Sequence, residues 1–70
     1  MFQIGQRIVA ARAMTGIRQG ACGTIARVYA GIANIYDVHF DRKGLVRLIG
    51  GALLAPLRTR AEVARCRRDT

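Results

Sequence analysis

The sequence has no serine and no tryptophan, and only one histidine (His39), one proline (Pro56) and one lysine (Lys43). Its carboxylates number four: Asp37, Asp41, Glu62 and Asp69. Nucleophilic and general acid–base sites are assembled from groups that this chain scarcely has, so a non-catalytic protein is expected. Only two cysteines occur, Cys22 and Cys66, and they do not form a CxxC pair. With a single histidine beside them they fall short of the roughly four ligands of a structural zinc site, so no metal is expected. They are read as two reduced thiols, Cys22 being a small core residue; a Cys22–Cys66 disulfide is the alternative. No apolar run approaches the roughly 20 residues of a membrane span. The opening segment Met1–Arg7 lacks the basic start and apolar stretch of an export signal. The expected location is the cytoplasm, with no membrane partner. No glycine is followed by the Lys-Ser/Thr ending of a phosphate loop, and no cofactor is expected.

What is present is positive charge. Twelve basic residues against four acidic ones give +8 on 70 residues. Such an excess favours a polyanionic partner, nucleic acid or an acidic protein surface. Eleven of the basic residues are Arg and eleven residues are Ala. GC-rich codon usage accounts for Arg in place of Lys, but not for the shortage of Asp and Glu, so the charge itself is the informative quantity. A chain of this length is one folded unit that buries only about 60% of the surface of its unfolded form. Oligomerisation is one way such a small core is supplemented.

Two regions differ in composition. Residues 1–57 hold all eight glycines and all the aromatic residues. They read as short strands punctuated by glycine, the pattern of a small all-β barrel. The strands are expected at Arg7–Arg12, Gly23–Tyr29, Ile35–Phe40, Leu45–Ile49 and Ala55–Leu57. A long loop, Ala13–Gly20, follows the first. A tight hairpin, Asp41–Gly44, precedes the fourth, and a single 3₁₀ turn within Gly50–Leu54 precedes the last. Pro56 confines that last strand to an edge or a strand end. In the third strand Tyr36, Val38 and Phe40 alternate with Asp37, His39 and Asp41, so the apolar set should face the core and the polar set the exterior. That polar row could hold a weak cation, but an ordinary solvated strand face explains it. Residues 58–70 carry Arg58, Arg60, Arg65, Arg67 and Arg68 without glycine or aromatics. Thr59-x-x-Glu62 has capping-box spacing for a short helix from about Arg60 to Arg67. Because an isolated helix needs about 12 residues, this C-terminal tail is expected to be helical only if packed and otherwise disordered. It reads as separable from the barrel.

Several stretches resemble the SH3-like barrels, including KOW-type domains and small bacterial accessory proteins. Ile4-Gly5-Gln6-Arg7-Ile8-Val9 is similar to their entry strand. Gly20-x-x-Gly23-Thr24-Ile25-x-x-Val28-Tyr29 is similar to their glycine-hinged second strand. Tyr36-Asp37-Val38-His39-Phe40-Asp41 and Leu53-Leu54-x-Pro56-Leu57 resemble their ending. The resemblance covers about residues 4–57 and implies an all-β, five-stranded SH3-like barrel acting as a binding or accessory module. In KOW-type barrels loops and one strand face contact RNA or protein. Here Arg18, Arg27, Arg42, Lys43 and Arg47 would make such contacts, with Tyr29 as a stacking partner. Gly44-Leu45-Val46-Arg47-Leu48-Ile49, then Ala52-Leu53, is similar more narrowly to the type II dihydrofolate reductases, tetramers with a shared pore. The family's Val-Gln-Ile-Tyr run is Val46-Arg47-Leu48-Ile49 here, and its tryptophan is missing, so reductase activity does not carry over. This second resemblance implies a homo-oligomer in which Val46, Arg47 and Leu48 line a pore for a small anion. A subunit or assembly factor of a larger enzyme is a third expectation.

Overall fold

The computed structural model describes residues 2–32 and 34–69, so Ala33 of the expected second connection lies outside the described residues. Five antiparallel strands form one sheet: β1 (Arg7–Ala10), β2 (Cys22–Val28), β3 (Ile35–Phe40), β4 (Gly44–Gly50) and β5 (Leu54–Pro56). A 3₁₀ turn, Gly51–Leu53, leads into β5, and a helix, α1 (Arg60–Asp69), ends the chain. The sheet order is β4-β3-β2-β1-β5. Its outer strands are β4 and β5, and no pairing between them closes the sheet among the described residues. Pro56 stands opposite Ile8 on the edge strand β5, where a missing N–H costs no ladder bond.

The core is built by period-two alternation. Ile8 and Ala10 of β1, Ile25 of β2 and Tyr36, Val38 and Phe40 of β3 point inward and are all but inaccessible to solvent. Ile17, from the long first loop, and Ile49 and Leu54 complete the same cluster. Gly23 lets β2 and β3 approach closely. A Cβ there would lie 2.8 Å from both the His39 carbonyl oxygen and Val38 Cγ1. Its small size, not its φ freedom, is what the position uses.

Alternation fails at two places: the β2–β3 pairing shifts register between Ile25 and Arg27, and the β3–β4 pairing shifts between Tyr36 and Val38. Tyr36 pairs with Ile49 and Val38 with Val46, so Arg47 and Leu48 together oppose Asp37 in a β-bulge. Leu48 takes φ +60°, a left-handed conformation unusual for leucine. Asp37, expected on the exterior beside His39 and Asp41, is instead buried, with 4% of its surface exposed. The bulge folds over it. The Asp37 Oδ1 atom accepts hydrogen bonds from the Leu48 N–H (3.0 Å) and the Tyr29 hydroxyl (2.8 Å), so the buried carboxylate is satisfied.

The cysteines also differ from expectation. Cys22 and Cys66 form a disulfide, with Cα atoms 5.8 Å apart, rather than two reduced thiols. β2 places Cys22 at the start of a central strand, and α1 brings Cys66 onto it from 44 residues away. No local pattern announces a contact of that range.

Candidate functional site

The long first loop is ordered by its own backbone. Gly20 N–H bonds to the Ala10 carbonyl (2.9 Å) and Ala10 N–H to the Ala21 carbonyl (2.8 Å). At the tip, Met14 and Ile17 exchange both backbone hydrogen bonds around Thr15-Gly16, with Gly16 at φ +77° as a tight turn requires. Ile17 is buried and anchors the tip in the core, which sets the neighbouring Arg18 at the rim. On the other side the β3–β4 hairpin is tied to β2 by a bond from the Asp41 N–H to the Cys22 carbonyl (3.0 Å). Between loop and hairpin lies a cleft of about 240 Å³ walled by Ile17, Ala21, Cys22 and Phe40 and rimmed by Arg18, Asp41, Arg42 and Lys43. Lys43 reaches across it: a Cβ added at Gly16 would lie 2.8 Å from Lys43 Nζ.

The one acidic group on this rim is neutralised. Arg7 donates from Nη1 to Asp41 Oδ1 (2.8 Å) and from Nη2 to Asp41 Oδ2 (2.7 Å), and Nη1 also reaches Thr24 Oγ1 (3.0 Å). These bonds from Arg7 hold the Asp41 carboxyl below its ordinary range, partial burial opposes the shift, and the Arg7 charge adds to it. The Asp41 bond likewise raises the Arg7 pKa. Arg7–Asp41 is the one ion pair among the described residues. Glu62 is engaged at the start of α1, where Oε2 accepts from the Arg58 N–H (2.7 Å). Among the described residues, Arg18, Arg42 and Lys43 therefore face the cleft without a carboxylate partner.

The six expected contact residues separate into two groups. Arg18, Arg42 and Lys43 converge on the cleft. Arg27, Tyr29 and Arg47 gather instead at the β4 bulge. There the Arg27 guanidinium sits over the Tyr29 ring at 4.9 Å from its centroid. Donation to Asp37 raises the Tyr29 pKa, while the charges of Arg27 and Arg47 pull it down. One face of the Tyr29 ring and its hydroxyl are thus occupied internally. Of the residues expected to line a pore, Val46 packs half-buried against the core, while Arg47 and Leu48 are exposed. Among the described residues no three His, Cys, Asp or Glu side chains converge as a metal site, and no helix is long and apolar enough to cross a membrane. The cleft uses Gly16 and Ile17, expected only as part of the long first loop, and Phe40, expected in the core. The proximity of loop tip and hairpin, 25 or so residues apart, has no local signal.

No family model matches the chain, and no curated protein or solved structure is similar enough to it to count as a relative.

Proposed function

We propose that this chain is a non-catalytic SH3-like barrel module that binds the phosphate backbone of nucleic acid through the cleft between its first loop and its β3–β4 hairpin. The strand order β4-β3-β2-β1-β5, the long ordered loop after β1 and the 3₁₀ turn before β5 support the barrel reading. The observation that carries the functional reading is the fate of the carboxylates. Of the described carboxylates, Asp37, Asp41 and Glu62 each accept internal hydrogen bonds, and none pairs with Arg18, Arg42 or Lys43, three cations on one concave surface. Three cations on a rigid rim suit phosphate oxygens, which fix position without reading bases. Sequence-independent binding follows, because Tyr29 is engaged by Arg27 and Asp37 and the other strand aromatics are core. The reading places the module in the cytoplasm, where nucleic acid is available.

The test is fluorescence anisotropy with single- and double-stranded oligonucleotides over a range of salt. The three rim cations contribute about −2 to the slope of log affinity against log salt for single strands and about −2.7 for duplex. The triple variant Arg18→Ala, Arg42→Ala, Lys43→Ala should flatten that slope. No binding at low salt, or a triple variant that binds as the parent does, sinks the proposal. Binding to acidic peptide with none to oligonucleotide would move the partner to a protein.

A further inference from the structure

Among the described residues, one covalent bond, Cys22–Cys66, ties the C-terminal helix to the sheet. Its start is well made: Thr59 Oγ1 accepts from the Glu62 N–H (3.1 Å), and Glu62 returns a bond to the Arg58 N–H, one residue before the usual capping-box position. Yet α1 has ten residues, below the 12 to 15 or so at which a free helix becomes marginally stable in water. It buries little in exchange. Arg60, Ala61, Val63, Ala64 and Arg65 are exposed, Glu62 is half-buried, and Cys66 is the one buried residue among those whose side chains are described. Arg67 and Arg68 of the expected arginine arm lie outside those residues. The sulfur bond to Cys22 thus joins the one buried side chain described in this helix to the sheet.

Cys22 is also a wall of the basic cleft. On its other side it borders a second hollow of about 240 Å³, lined by Val9, Gly20, Leu57, Glu62, Arg65 and Cys66. Cys22 therefore lines both hollows, and Arg65 of α1 lines the second. We infer that Cys22–Cys66 is a redox latch: oxidised, it holds α1 so that Arg65 extends the phosphate-binding surface; reduced, it releases the helix and that contact is lost. The inference rests on the cleft reading above. In a cytoplasmic setting, disulfides that form are commonly transient or redox-sensing, which suits a bond whose breakage frees one small element.

The exchange needs a dithiol reductant, either a protein with a vicinal dithiol or dithiothreitol in the test. One thiolate attacks a sulfur of the bond, the S–S bond breaks, and a mixed disulfide forms. The reductant's second thiolate displaces the protein sulfur and closes the reductant's own disulfide. Two electrons and two protons end on Cys22 and Cys66.

The experiment compares the full chain oxidised, reduced with dithiothreitol, and as Cys66→Ser. Hydrogen exchange of amides 60–66 should show protection in the oxidised chain that is lost in the other two, while β1–β4 stay protected. Anisotropy with a single-stranded oligonucleotide should show affinity at 50 mM salt exceeding that at 200 mM by a ratio about threefold smaller after reduction, the share of one phosphate contact. Arg65→Ala in the oxidised chain should reproduce that change without releasing the helix. Protection of 60–66 that survives reduction overturns the latch, and so does loss of the whole sheet in Cys66→Ser. Helix release with unchanged binding overturns the coupling to the cleft. An oxidised chain that binds no oligonucleotide removes the cleft reading instead, and the exchange data then judge the latch alone.

Discussion

Reducing the Cys22–Cys66 bond should cost far less stability than its length in sequence suggests. Closing a 44-residue loop in the unfolded chain removes about 4 kcal/mol of chain entropy. That full amount is lost on reduction only if Cys66 stays in place in the reduced native state. If α1 is held by the disulfide, the reduced native chain also gains freedom, from the last sheet hydrogen bond at Leu57 N–H onward. Cys66 then sits at the end of a flexible segment of about nine residues, and the relevant difference is between closing a 44-residue loop and closing that short one. At (3/2)RT times the logarithm of the length ratio, the net loss is about 1.4 kcal/mol. Urea unfolding of oxidised and reduced protein, followed by far-ultraviolet circular dichroism, separates the two values. With a slope of about 1 kcal/mol per molar for a domain of this size, the midpoint should fall by about 1.4 M rather than about 4 M. At a whole-domain stability near the low end of its range, about 4 kcal/mol, the reduced sheet stays folded in the first case and is nearly unfolded in the second. A loss near 4 kcal/mol would refute the view that α1 depends on the bond. A chain ending at Leu57 should behave as the reduced protein does, with a folded sheet.

Other outcomes follow from single positions. Gly23→Ala should destabilise by about 1 to 2 kcal/mol in urea, because its Cβ meets the fixed His39 carbonyl, and the chain-entropy gain of alanine offsets only part of that. Asp37→Ala should cost about 2 kcal/mol by leaving the Leu48 N–H unsatisfied at the bulge, whereas Asp37→Asn, which keeps an acceptor oxygen there, should cost clearly less in the same assay. Leu48→Gly should raise stability by about 0.5 to 1 kcal/mol, the relief of the left-handed conformation exceeding the entropy that glycine adds to the unfolded chain. On pH, the Asp41 carboxyl is held below its ordinary value of 3.8, chiefly by the bonds from Arg7, so its contribution is present above that value and lost as pH falls through the folded one. The exposed pair limits this to a few tenths of a kcal/mol, and Asp41→Asn should remove that acid limb from a stability–pH profile. Tyr29 has the opposite sign: raised above 10.0, its contribution is present below that value and is lost as pH climbs through the folded one, a limb that Tyr29→Phe should abolish.

Much of the molecule was written locally. β3 matched its expected span, and its inward set Tyr36, Val38 and Phe40 did form the centre of the core, because period-two alternation is a property of the backbone itself. The turn glycines, the 3₁₀ turn before β5, the edge position of Pro56 and the Thr59–Glu62 cap were legible for the same reason: each depends on neighbours within a few residues. The strand ends shifted by one or two residues where pairing partners, not propensity, set them; β1 stops at Ala10 and β4 begins at Gly44.

The candidate site was legible as a list of cations but not as a place. Composition alone showed an excess of positive charge and a scarcity of nucleophilic and acid–base side chains. It could not show that Arg7 takes Asp41 out of the balance, that Arg27 covers the ring of Tyr29, or that a bulge buries Asp37, since each joins residues brought together by strand pairing. The cleft exists because Ile17 pins the first loop beside the β3–β4 hairpin. The disulfide is the extreme case. The sequence by itself determined that two cysteines were present and that a capped helix could start at the tail. Whether sulfurs 44 residues apart meet is decided by where the sheet and the helix lie in three dimensions, and at Cys22 and Cys66 the tertiary structure alone decided it.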